Sequence, residues 1–570
     1  MLAVASRQQS RLKRRSASEF LAQGGEVRYE GAMQRVHRAR RPFLLASTML
    51  AVTFSGLIAQ EPEAPQTVAE RTKYQETSRA KDVALFIDKC VTLSHGNRLS
   101  VVVGGKSPEG RSLLVVKVAL PDREPTGPHL KALVIGNIHA GEVEGKEAVQ
   151  ELIREFASGK HTKLLKQCDV WFVPIYNLDG NEAVKVGNRR GQNGPDAVGQ
   201  RANGQGFDLN RDFVKAEAPE TRALLKMFRE YDPHLFVDLH TTNGSHHGYH
   251  LTYAPSLSPN LDPGIDRFGR KLLELSRKQM KKRGFEVFDY GNFETRDWDG
   301  SGAPRSRNGT RGWFTYDSRA RYGVNYFGLR NRIAILSEAY SYADFKTRIA
   351  ATRAFVLTLL EQMVANLDEA GDAIMKAEQR IERASASGAP IYFGSNTSFA
   401  DPEQLPILVG KVERKRGKDG APTRFVRLDE VTEEVLPVAR KFRSRRQEAL
   451  PKAWAITAPT PEVVERLQWH GVVFQALKET QNWTMQQFEV TKKRKPKRPF
   501  QGHQELVLEG KWLTPKRREL PLGTIIIPAD QPLARLCATL LEPLSEDSLS
   551  SWNFFEDATG THYPVLRVIK

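Results

Sequence analysis

Short apolar runs that alternate with helix-like patterns constrain this chain more than any other feature. The runs are "LSVVVGGKSPEGRSLLVVKVAL" (99–120), "LKALVIGNIH" (130–139), "CDVWFVPIYNLDG" (168–180), "PHLFVDLHTT" (233–242) and "RIAILSEAY" (332–340). The first splits around Gly-rich turn signals into two strands; the others read as buried strands. Helical spacing intervenes at Val143–Phe156 and Ala218–Glu230, with Pro219 suited to an early helical position. Strands alternating with helices over some 300 residues predict an α/β layered domain. A long helical stretch from Ala343 to about Ala384 is expected to close it.

The rest of the chain has a different texture. "TPEVVERLQWHGVVFQAL" predicts one helix with Thr460 as its cap, Pro461 next and Gly471 as terminator, leading into a strand. Short β-like runs and basic loops such as "KKRKPKR" (Lys492–Arg498) surround it. The predicted organisation is a basic N-terminal region with a signal or anchor (1–60), a Pro/Glu-rich linker (61–74), the α/β domain (75–385) and a smaller β-rich C-terminal domain (390–570). The basic loops lack interleaved aromatics and a nucleic-acid module, so no nucleic-acid partner is expected. They read as solvated loops or as contacts to an anionic cell envelope.

Of the formal charge of +18, residues 1–41 hold ten Lys/Arg against three Asp/Glu, a net +7. This segment precedes an uncharged run of 18 residues, Pro42–Ala59, with small residues Ser55, Gly56 and Ala59 near its end. Those are the parts of an export signal, which predicts a periplasmic or secreted protein. Met33 offers a second start that would give a signal of about 27 residues. The alternative is a retained membrane anchor at 42–59, since 18 apolar residues just suffice to span a bilayer. The three cysteines, Cys90, Cys168 and Cys537, are too few for a disulfide framework and are expected to be buried thiols.

The chemistry begins where "LKALVIGNIH" gives way to a helix. His139 and Glu142 lie there, at the strand's carboxyl end, where α/β sheets place ligands. Imidazole nitrogen and carboxylate oxygen are good zinc ligands, and a catalytic site needs a third ligand plus an open position. His240, at the end of "HLFVDLH", supplies a candidate. Asp238 lies two residues earlier on the same strand face, with local hydrogen bonding as its reading. His246, His247 and His250 read as rim residues of the site mouth, a second metal being the alternative.

Four motifs then stand in order: "HAGE" (His139–Glu142), "GFDLNRDF" (Gly206–Phe213), "DLHTTNG" (Asp238–Gly244) and "GLRNRIAILSEAYSY" (Gly328–Tyr342). Together they resemble the zinc metallocarboxypeptidases related to carboxypeptidase A, across roughly residues 75–385. "HAGE" and the C-terminal "SEDSLSSWNFFED" resemble a bacterial branch with an appended domain. The resemblance implies a three-layer α/β/α domain with a mixed sheet and one Zn2+ held by His139, Glu142 and His240. It further implies Glu338 as general base, Arg201 as oxyanion stabiliser, and Asn210 with Arg211 as the grip on the substrate's C-terminal carboxylate. Asp208 would orient the His139 ring. Among Tyr316, Tyr322 and Tyr326, the spacing to Glu338 favours Tyr316 as the substrate cover. Gly323 falls near the position that selects the terminal side chain.

The implied activity is a zinc peptidase that releases C-terminal residues from peptides or proteins. Alternatives on the same scaffold are an exported amidase or deacylase, and a carboxypeptidase trimming cell-wall stem peptides. A non-catalytic binding protein is a third reading, disfavoured because ligands and base are all present.

Overall fold

A computed structural model describes residues 64–94, 96–121, 127–242, 244–293, 311–417, 423–555 and 560–569. The basic segment, the apolar run and Met33 lie outside the described residues.

The heart of the fold is one mixed eight-stranded sheet. Its strands are β1 (Leu99–Lys106), β2 (Ser112–Val118), β3 (Leu130–Gly136), β4 (Cys168–Val173), β5 (Leu235–Thr241), β6 (Leu251–Pro255), β7 (Val287–Asp289) and β8 (Ile333–Ala339), in the order β1-β2-β4-β3-β5-β8-β6-β7. The middle four, β4-β3-β5-β8, run parallel, whereas β2 and β6 flank them antiparallel. Every residue of β4 and β5 is buried, which is why these strands read as continuous apolar runs rather than alternating ones.

Three layers follow from the pleat of β5. Leu239 faces α1 (Glu144–Ala157), whose Gly145 comes so close that a Cβ there would sit 2.8 Å from that of Leu239. Phe236, of opposite parity, faces the other side. There its ring lies 4.2 Å from Phe327 of α3 (Gly323–Leu329), which in turn stacks 4.1 Å from Phe228 of α2 (Pro219–Tyr231). The three-layer α/β/α domain with a mixed sheet is thus as expected.

Several boundaries differ from expectation. The supposed linker ends in a turn of helix, Val68–Arg71, closed by a Thr67/Glu70 capping box. Glu70 also pairs with Arg154 of α1 at 2.6–2.7 Å, so residues 64–74 belong to the folded body. The stretch from Ala343 is two helices, Phe345–Ala365 and Leu367–Ser387, interrupted at Asn366. Its side-chain amide donates back to the Gln362 carbonyl, a local bond that competes with helix continuation.

The C-terminal region is β-rich, as expected, with a six-stranded sheet, two long ribbon strands (Glu403–Lys415 and Arg424–Ala439) and the helix Pro461–His470 capped by Thr460 and ended by Gly471. It does not stand apart as a second domain. Trp454, Val463 and Trp552 share one buried cluster with the central sheet. His470 holds the Val214 carbonyl through Nε2 (3.0 Å) and the Tyr326 hydroxyl through Nδ1 (2.8 Å). The described residues form one compact unit. All three cysteines are buried and none is in a disulfide. Among the described residues no helix is long and apolar enough to cross a membrane.

Candidate metal centre and substrate cleft

The carboxyl ends of β3, β5 and β8 meet at one cavity of about 430 Å³. Beyond β3, Asn137 turns the chain in a left-handed conformation (φ 65°) and delivers His139 and Glu142 just before α1. His240 lies near the end of β5, and Glu338 is its register partner on β8. Strand pairing alone therefore sets two of the four groups side by side.

Around this point the side chains converge. Nδ1 of His139 is 3.2 Å from Nδ1 of His240 and 3.2 Å from Oε1 of Glu142, while Nδ1 of His240 is 3.0 Å from Oε2 of Glu142. Each ring turns its other nitrogen to a carboxylate. His139 Nε2 is 3.0 Å from Asp208 Oδ1, and His240 Nε2 is 2.9 Å from Asp238 Oδ2. A carboxylate partner fixes Nε2 as the protonated nitrogen, so both Nδ1 lone pairs point inward. Two inward lone pairs and a carboxylate, all buried, repel one another unless a cation lies among them. Two imidazoles and one carboxylate, with ligand atoms all within 4.8 Å of one another, are a donor set that fits Zn2+.

The groups at this centre set one another's charge. Burial alone would push the Glu142 carboxyl up, but the Arg189 guanidinium and His139 outweigh it and hold it well below the usual range. Burial opposes a charged His240, yet the Asp238 and Glu142 carboxylates raise it well above an ordinary histidine. Glu338, fully enclosed, is pushed up by burial, with the charge of His240 opposing and that of Glu142 adding to the rise.

Asp208 organises the opposite wall. It caps the short 3-10 turn Leu209–Arg211, its Oδ1 accepting the Asn210 N–H at 3.0 Å, and its Oδ2 accepts both Nε and Nη2 of Arg201 at 2.9 Å. The Arg201 side chain stays 44 % exposed toward the cleft. Asn210 Oδ1 accepts the Gly323 N–H (2.9 Å), which leaves the amide's donor nitrogen for a ligand. Arg211 lies over the Tyr322 ring at 4.1 Å and donates to the Asn210 carbonyl.

The three expected metal ligands, Glu338, Arg201, Asn210, Arg211 and Tyr316 all line the cavity; Asp208 stands behind it. Tyr316 is half-buried there, packed edge-on against Tyr290 and Tyr322, and its enclosed hydroxyl has no hydrogen-bond partner among the described residues. Tyr322 lines the cavity too, whereas Tyr326 is buried against His470, away from it. Gly323 opens α3 and meets Phe213 instead of lining the cleft. The rim reading of the histidines fails. His247 is buried in an aromatic cluster with Tyr249, Trp313 and Tyr340, and His250 accepts the Glu286 N–H. None of His246, His247 and His250 lines the cleft.

Sequence reading missed Arg189 and Tyr290. Arg189 Nη1 lies 2.8 Å from Glu142 Oε1, and its Nη2 donates to the Thr241 carbonyl at 2.7 Å. Neither residue sits in a recognisable motif, and only the folding of their loops brings them to the cavity.

Known proteins share parts of this chain's sequence. Carboxypeptidase 2 of Trichophyton tonsurans is 24% identical over 480 residues, 81% of each chain, more than the residues before 390 could supply. Carboxypeptidase D of Mus musculus is 27% identical over 232 residues, covering 37% of this chain and 16% of that protein. A metallo-carboxypeptidase structure from Pseudomonas aeruginosa aligns with 52% of this chain and 70% of its own, at 20% identity and TM-score 0.37. One from Burkholderia cenocepacia covers 50% and 70%, at 17% identity and TM-score 0.38. Residues 86–328 match the zinc carboxypeptidase family, and this stretch is what the chain shares with that family.

Proposed function

We propose that this protein removes C-terminal residues from peptides or proteins, with the buried triad holding one Zn2+ and Asn210 and Arg211 gripping the substrate's free carboxylate. The observation that carries the proposal is the placing of a guanidinium–amide pair on the wall facing two inward-pointing Nδ1 atoms. A guanidinium fork suits a terminal carboxylate. Without such a grip the same centre would act on internal amides.

Zinc, when bound by His139, Glu142 and His240, supplies a Lewis acid that lowers the pKa of water toward about 7. Glu338, beside His240 on the next strand, takes the proton from the attacking water and passes it to the leaving amine. Arg201, steadied by Asp208, turns its free edge to the oxygen where negative charge develops. Tyr316 closes over the terminal residue and offers its unpartnered hydroxyl. Arg189 keeps the Glu142 carboxylate in place, since a buried carboxylate without a partner is costly.

Chelation tests the proposal. Hydrolysis of a peptide with a free C-terminus should vanish on metal removal and return with Zn2+. The same peptide amidated at its C-terminus should be a poor substrate; equal turnover of both forms would replace the carboxypeptidase with an amidase. Export, with an envelope peptide as substrate, is our reading of the apolar run Pro42–Ala59, and cell fractionation tests it.

A further inference from the structure

Asp208 is where the groups of the cleft meet. One side chain steadies His139, Arg201 and the Asn210 backbone, so a shift of Asp208 would move metal ligand, oxyanion donor and carboxylate grip together. Its own backbone N–H donates at 2.8 Å to Oε1 of Gln501, 293 positions further along the chain.

Gln501 sits at the tip of a tight turn beyond the strands Phe488–Arg494 and Val507–Trp512. Phe500 and His503 exchange two backbone hydrogen bonds (2.7 and 3.0 Å), and both central residues have positive φ, Gln501 at 51° and Gly502 at 80°. That is the backbone of a type I′ turn, for which Asn-Gly or Gly-Gly is the easy sequence. Glutamine is a poor choice for the turn itself, so the length and acceptor of its side chain account for its presence better than its backbone does.

The turn is seated on the same loop that it holds. His503 Nε2 lies 2.9 Å from Glu217 Oε1, the Phe500 ring stacks on Trp552, and Gly502 lies against Phe207. Lys215 closes the seat, with Nζ 4.7 Å over the Phe207 ring, 5.3 Å over Trp552, and 2.9 Å from Glu217 Oε2. Four residues beyond Gln501, Glu505 pairs with Arg321, whose Nε donates to Asp547.

We propose that Gln501 is a positioning residue for the cleft: its side-chain carbonyl, carried in by the C-terminal region, sets the backbone at Asp208 and through it the Arg201, Asn210 and His139 side chains. This rests on the carboxypeptidase reading above and assigns the C-terminal region a part in forming the site. Loss of the acceptor leaves the Asp208 N–H to water and frees the Phe207–Arg211 loop to drift. Displacement of catalytic groups by about 1 Å costs up to about 100-fold in rate, and loss of the partners of metal ligands costs about 10–100-fold.

The test uses the full chain loaded with Zn2+ and a peptide with a free C-terminus. Gln501→Gly removes the acceptor while favouring the turn. It should keep the melting temperature and zinc content, raise KM and lower kcat, and cut kcat/KM by about 10–100-fold. Gln501→Glu keeps an acceptor at the same reach and should return kcat/KM to within a few-fold of the natural chain. Unchanged kinetics in Gln501→Gly overturn the proposal, as does an equal loss in Gln501→Glu. If Gln501→Gly lowers the melting temperature, Gln501→Leu against Gln501→Glu decides by the same ratio, equal kinetics in the two overturning the proposal. A natural chain that releases no C-terminal residue with Zn2+ present overturns the carboxypeptidase reading instead, since that result does not involve Gln501.

Discussion

The central sheet and the C-terminal ribbon are both β structure, but they are held together by different forces. β5 is buried along its whole length, and β3 nearly so. The ribbon strand Arg424–Ala439 buries only Leu436, Val438 and Ala439, and its Val435 is 67 % exposed. The sheet rests on apolar burial, about 25 cal/mol per Å2 removed from water, whereas the ribbon rests on its hydrogen-bond ladder with Glu403–Lys415. The difference explains where the chemistry lies. A catalytic centre needs side chains fixed in a dry, rigid setting, and only the sheet's carboxyl edge provides one. Gln501 of the C-terminal region reaches the wall behind the cleft, where its side-chain oxygen accepts the Asp208 N–H.

Substitutions can break this comparison, beginning with the largest effect. Glu338→Gln removes the proposed proton carrier while leaving the triad intact. Turnover should fall by about 10²–10⁴-fold with zinc content unchanged, as measured by metal analysis alongside kcat. Retained turnover would remove β8 from the chemistry.

Next comes the sheet itself. Ile135→Ala, in the core of β3, should cost about 2–5 kcal/mol in denaturant unfolding. Val435→Ala in the ribbon should stay within about 0.5 kcal/mol. Similar costs at the two positions would erase the contrast between burial and ladder.

A smaller effect tests the seat of the Gln501 turn. Burial would push the Glu217 carboxyl up, but the hydrogen bond from His503 and the charge of Lys215 outweigh it and hold it at about 2, against an ordinary 4.5. A depressed carboxyl contributes stability that is present above pH 4.5 and lost as pH falls through about 2. Glu217→Gln should therefore lower the melting temperature at pH 6 and narrow its gap to the natural chain by pH 3. A gap that stays constant with pH would mean that the pair contributes no charge-dependent stability.

Much of the site was legible because its residues sit at strand ends. The positions of His139 and His240 follow from where two apolar runs stop, and "AILSEAY" marks Glu338 in the same way. Asp208, Asn210 and Arg211 came through a short motif whose Asp caps its own turn, which is local chemistry. His247 was misread because a histidine beside a polar turn looks exposed; the aromatic packing that buries it comes from residues up to 93 positions away. The supposed linker was misread for the opposite reason, since its capping box was local but lay in a Pro/Glu-rich stretch.

What the sequence determined by itself, then, is the layered α/β core and the strand-end placing of His139, Glu142 and His240, because strand periodicity, caps and strand-end polar residues are properties of neighbouring positions. The tertiary structure alone decided that Arg189 and Tyr290 line the cleft, that Tyr322 rather than Tyr326 shares its wall with Tyr316, and that the C-terminal region joins the body instead of standing apart. Those outcomes depend on which distant surfaces can pack together and which buried charges can find partners. Chain neighbours carry no record of either.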